Sequence, residues 1–169
     1  MALFGKTKSG NVSVNFAAVK GTPLEYGDIP AAIAMELSEK RITFTYRVYR
    51  KKEPITLEYS QIKRFGKLTE TEIMESDKSV IGRAVVGGIL LGPLGAVVGA
   101  IDGLGTKKKA KERTFFVLNY ISSSGQEESL PLEIVNATIG LNKLEERLRE
   151  LCPNLISDEN SSAETSNRL

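Results

Sequence analysis

Histidine is absent from the sequence. Histidine general acid–base chemistry, Ser-His triads and histidine metal sites are thereby excluded. Cysteine occurs once, at Cys152, which rules out an intramolecular disulfide and a thiolate zinc cluster. Its neighbours Leu151, Pro153 and Leu155 mark it as a small apolar filler near a helix end. A reactive thiol would need an electropositive setting. The opening MALFGKTKSGN lacks the long apolar core of a secretory signal. A lone thiol fits a reducing interior, so a cytoplasmic location is expected. Charge of one sign is also in short supply overall. The 169 residues carry a formal net charge of +2, too little to demand a polyanion partner. With 41% hydrophobic and 26% charged residues, the composition is that of one soluble domain with tails.

What is present alternates. Val12, Val14 and Phe16 stand against polar partners, as do Ile33, Met35 and Leu37, then Ile42, Phe44, Tyr46 and Val48. Period-two patterning with β-branched and aromatic residues predicts strands. ITLEY makes a further short strand, and residues 62–76 continue in the same mode with a bend at Gly66. TFFVLNYIS and SLPLEIV are two more strands, joined through Gly125, which supplies positive φ at the turn. From about Asn136 the period changes. Ala137, Leu141, Leu144, Leu148 and Leu151 recur at helical spacing until Pro153. The expected architecture is about seven antiparallel strands, bent into a barrel-like sheet and capped by one amphipathic helix. Residues 1–10 read as a flexible leader, 11–151 as the domain, and 152–169 as a polar tail with no apolar face.

One stretch interrupts this plan. RAVVGGILLGPLGAVVGAID holds 18 uncharged residues between Arg83 and Asp102. Together with KSVIG before it, GLGTKKK after it and the FFVLNYIS strand beyond, it resembles bacterial pleckstrin-homology-like (PH-like) domain proteins with a glycine-rich insertion. The resemblance covers residues 11–151. It implies a mainly β PH-like fold, with a glycine-zipper insertion over residues 77–110. It implies no activity, because fold alone does not supply one.

The insertion can be weighed on its residues. Gly105-Thr106-Lys107 has the wrong order for a phosphate-binding loop, and the glycines lack dinucleotide spacing, so no nucleotide partner is expected. A straight membrane span is opposed by Gly92-Pro93 at its centre. It would also put the two halves of the sheet on opposite sides of a bilayer. A helical hairpin turning at Gly92-Pro93 is expected instead, with arms over Gly82–Leu91 and Leu94–Leu104. Gly88 and Gly92, then Gly95, Gly99 and Gly103, give each arm a flat strip that permits close helix approach. Val85, Val86, Ile89, Leu90, Leu91, Leu94, Val97, Val98 and Ile101 form the remaining apolar surface. A membrane leaflet, another copy of the chain or a protein partner, or the domain's own sheet could cover it. Arg83, Lys107, Lys108, Lys109, Lys111 and Arg113 make a basic foot suited to an anionic surface. Docking on the inner face of a membrane is the leading expectation, with soluble self-assembly or an adaptor role as the alternative.

Other motifs are weaker. YRVYRKK interleaves aromatics with cations, but strict alternation would put Tyr46 and Tyr49 on opposite faces. Nucleic acid is therefore not expected as a partner. By analogy with PH-like domains, Arg47, Arg50, Lys51 and Lys52 could form an anion-binding rim. Glu72, Glu75 and Asp77 read as solvated charges on a strand end. No set of convergent polar groups is visible, so a non-enzymatic protein without cofactor or metal is expected.

Overall fold

A computed structural model of the chain describes residues 11–26, 31–49, 51–77, 84–86, 89–91, 112–135 and 138–155. The expected leader (1–10), nearly all of the tail, and most of the glycine-rich insertion lie outside the described residues.

Seven strands form one antiparallel sheet: β1 (Val12–Ala18), β2 (Ala32–Leu37), β3 (Arg41–Tyr46), β4 (Ile55–Glu58), β5 (Ile62–Thr69), β8 (Thr114–Ile121) and β9 (Glu127–Glu133). Their order is β4-β3-β2-β1-β9-β8-β5. The alternation read from sequence is the reason. In β1, Val12, Val14, Phe16 and Ala18 are buried while Ser13 and Asn15 are exposed. In β3, Ile42, Phe44 and Tyr46 point inward. One face of each strand thus enters a single core, where Phe16 stacks on Phe116 at 5.8 Å between ring centres. β8 differs, with Phe115, Phe116, Val117, Leu118, Asn119 and Tyr120 all buried, so both of its faces are covered.

The ladder is open between β4 and β5, so the β scaffold is not closed by hydrogen bonds. A 3-10 turn, Tyr59–Gln61, carries the chain across that corner. The Gln61 side-chain amide donates to the Ile121 carbonyl at 2.9 Å, and the Tyr59 hydroxyl donates to the carbonyls of Ser38 and Arg41. The C-terminal helix (Thr138–Leu151) lies along β1 and sinks Leu141, Leu144 and Leu148 into the core. Lys67 on β5 pairs with Glu145 of the helix at 3.3 Å, and Asn154 donates to the Ser60 carbonyl at 3.0 Å. The helix caps the sheet as its apolar stripe requires. Cys152 is buried beside it as the expected filler, and burial pushes its thiol up to about 12.

Two expectations are corrected. Residues 70–77 are not a continuation of β5 but a helix, α1 (Glu70–Asp77), so the C-terminal helix is α2. The first arm of the insertion is not helical where it is described. It contains a two-stranded antiparallel ladder, β6 (Ala84–Val86) and β7 (Ile89–Leu91), pairing Ala84 with Leu91, Val85 with Leu90 and Val86 with Ile89.

Candidate functional site

The two roots of the insertion leave and rejoin the sheet side by side. Thr69 ends β5 and pairs with Thr114, which begins β8. The Glu70 amide donates to the Arg113 carbonyl at 2.9 Å, carrying the pairing one step further. Arg113 then stitches the root. Its Nε and one terminal nitrogen donate to the two Glu133 carboxylate oxygens at 2.9 and 2.7 Å, a bidentate fork. Glu70 lies 3.9 Å from the other nitrogen, and the guanidinium sits 5.0 Å from the centre of the Phe115 ring. Arg113 was expected on an anionic surface, but its charge is met within the domain.

α1 begins here because Thr69 and Glu72 cap it reciprocally. The Glu72 carboxylate accepts from the Thr69 amide (2.7 Å) and hydroxyl (3.1 Å), and the Glu72 amide donates to Thr69 Oγ1 at 3.3 Å. Glu72 is therefore a helix cap rather than a solvated charge on a strand. Glu112 sits on the same root. Hydrogen bonds from the Thr71 and Thr69 side chains hold its carboxyl below the usual value. Ile73 anchors the helix, fully buried.

Beyond α1 the chain folds back. β6 lies against α1, and β7 lies against β5 and β8. Val85, Ile89, Leu90 and Leu91, expected on a helix face, have their backbone in this ladder. Arg83, Gly88, Gly92, Pro93, Leu94, Gly95, Val97, Val98, Gly99, Ile101, Gly103, Lys107, Lys108, Lys109 and Lys111 lie outside the described residues. Among the described residues no helix is long and apolar enough to cross a membrane.

A second constellation occupies the β1–β2 and β3–β4 connections. The buried Tyr46 hydroxyl donates to the Leu24 carbonyl at 3.0 Å. The Lys52 ammonium stands 4.5 Å from the ring centres of both Tyr26 and Tyr46 and donates to the Glu25 carbonyl at 3.3 Å. Tyr49 meets Tyr26 at 4.5 Å between ring centres. Alternation was expected to separate Tyr46 from Tyr49. It does not, because β3 ends at Tyr46 and both rings reach Tyr26. The result is a hollow of about 550 Å³ lined by Tyr26, Val48, Tyr49, Lys51 and Lys52. Arg47 and Lys52 line a second hollow of about 340 Å³ beside it. Of the expected rim cations, Arg47, Lys51 and Lys52 come together here, while Arg50 lies outside the described residues. Sequence reading found the cations and missed Tyr26, which is twenty or more positions from its ring partners.

No curated protein matches the chain. A family model described as "glycine zipper containing PH domain" matches residues 24–127, from within the β1–β2 connection through the insertion to the start of β9. That match spans more than half of the sequence, so the chain belongs to the family of PH domains that contain a glycine zipper.

Proposed function

We propose that this PH-domain binding module docks on the inner, anionic face of a membrane through its glycine-rich insertion. One observation carries the reading: the apolar stretch and a strong excess of positive over negative charge sit in the same excursion. Residues 78–111 hold six basic side chains (Lys78, Arg83, Lys107, Lys108, Lys109, Lys111) and one acidic, Asp102. The whole chain is only +2, so the rest of it is net negative. The insertion is the basic pole of the molecule.

The paired roots support the same reading. Thr69 and Thr114 are neighbours, so the excursion begins and ends at one place on the domain. Both of its ends therefore meet the same headgroup layer, as a docking loop requires and a span forbids. The first part of the excursion rests on α1, β5 and β8. Leu94, Val97, Val98 and Ile101 beyond it, with the lysines beginning six positions after Ile101, are the part offered to lipid.

Magnitudes favour lipid over a second copy. Each cation at an anionic surface contributes about 1 kcal/mol. Five net charges thus give on the order of 5 kcal/mol, weaker than a ~1 µM affinity, and apolar insertion supplies the remainder. Pairing two insertions would instead bring two strongly basic segments together, where like charge opposes contact.

Vesicle flotation tests the proposal. The full chain is expected to float with vesicles containing anionic lipid, and not with neutral ones. Lys107→Glu, Lys108→Glu and Lys109→Glu together are expected to weaken flotation more than tenfold, and raised salt to do the same. Lipid-independent oligomers that vanish with Gly95→Leu or Gly99→Leu would establish the self-assembly alternative instead.

A further inference from the structure

Four large apolar side chains are exposed among the described residues: Tyr26 (40%), Val48 (72%), Tyr49 (37%) and Val135. Three of the four line one hollow. Scattered exposed hydrophobics are ordinary, but a cluster rimmed by charge marks a contact surface. The charge here has one sign. Arg47, Lys51 and Lys52 border the two adjoining hollows, and none of them takes part in an ion pair among the described residues. Their hydrogen-bond partners are neutral: Arg47 donates to the Asn15 side-chain oxygen at 3.0 Å, and Lys52 to a backbone carbonyl. Glu25, the carboxylate among the described residues of the β1–β2 connection, accepts from the Gly21 amide at 2.8 Å.

The surface is also built rather than fortuitous. Lys52 clamps the two connections together through the Tyr26 and Tyr46 rings, and the Tyr46 hydroxyl ties the base to Leu24. Tyrosines supply a large contact area with little side-chain entropy to lose. We propose that this hollow takes an acidic peptide segment of another protein: an aromatic or aliphatic side chain seats against Tyr26, Val48 and Tyr49, and flanking carboxylates meet Arg47, Lys51 and Lys52.

Topology selects peptide over lipid. β1, β3 and β8 run in one direction along the antiparallel sheet. The chain leaves β1 and β3 into the connections that form the hollow, but it arrives at β8 from the insertion. Hollow and insertion therefore lie towards opposite ends of the strands. With the insertion on a membrane, the hollow faces away from it; this choice of partner rests on the docking reading above.

The test uses the full chain and three fluorescein-labelled twelve-residue peptides: Glu and Phe alternating, Lys and Phe alternating, and Glu and Ser alternating. Anisotropy is expected to show micromolar binding of the first and at least tenfold weaker binding of the other two. Val48→Asp, a change at an exposed site, is expected to weaken the first peptide at least tenfold while leaving flotation on anionic vesicles unchanged. Lys51→Glu is expected to act in the same way. Equal binding of the acidic and basic peptides, or indifference to both substitutions, overturns the proposal. Loss of flotation on Val48→Asp would assign the hollow to lipid and overturn it as well. Peptide binding by a chain that fails to float would remove the membrane reading and leave the acidic-peptide site standing.

Discussion

Cys152 and Tyr59 meet where α2 ends and the 3-10 turn crosses the open corner of the sheet. Burial raises both groups to about 12, and the thiol beside Tyr59 adds to the tyrosine's shift. Tyr120 is raised to about 12 as well, by burial and then by its hydrogen bond to Glu128 at 2.9 Å. The sign of the linkage follows. In the unfolded chain the thiol loses its proton near its ordinary 9.0 and the phenols near 10.0, whereas the folded chain keeps these protons to about 12. Between those limits the unfolded state binds fewer protons, so stability falls as pH rises. Below pH ~9 the contribution is present in full. Urea midpoints measured from pH 8 to pH 11 are expected to fall, with onset near 9. In Cys152→Ala the onset is expected to move towards 10. A flat profile would show that these groups are not protected.

At the scale of elements, α2 is an integral cap of the sheet. Leu144 and Leu148 are fully buried against the sheet. Leu144→Ala is expected to lower stability by about 2–5 kcal/mol, the range for a buried leucine whose cavity cannot fully collapse. Equilibrium urea denaturation measures it, and a loss under ~1 kcal/mol would mean that α2 is not an integral cap. This helix was legible because Leu141, Leu144 and Leu148 repeat at its period. The seven strands were legible for the corresponding reason, visible in Val12-Val14-Phe16 and Ile42-Phe44-Tyr46. Two elements were misread although short-range signals were there. Thr69-Glu70-Thr71-Glu72 is a capping-box pattern that announces α1, but only Ile73 behind it is fully buried among its described side chains, so no apolar stripe drew notice. Gly87-Gly88 between VV and ILL is the composition of a two-residue hairpin connection. The four-residue glycine spacing masked it by matching a helical strip equally well. The Tyr26–Tyr46–Tyr49 cluster was not legible at all. It depends on where β3 ends and on a ring twenty or more residues away, neither of which a local period encodes.

At the scale of the molecule, the sheet separates two unlike surfaces. Arg113, Glu133, Glu70 and the Thr69–Glu72 cap hold the roots of the insertion together, so whatever the insertion binds is mounted on a rigid support. The apolar and basic segment leaves from that support, and the tyrosine-lined hollow opens from connections at the other end of the strands. On the reading proposed above, the domain joins a surface on one side to a partner on the other. The central claim is that residues near position 97 enter lipid while the hollow stays in water. An environment-sensitive fluorophore tests it most directly when placed at Val97→Cys or at Val48→Cys in a Cys152→Ala background. With anionic vesicles, the label at position 97 is expected to shift to the blue and to be quenched by lipid-borne quenchers. The label at position 48 is expected to remain quenched by aqueous iodide. A position-97 label that stays accessible to iodide with vesicles in excess would contradict the account.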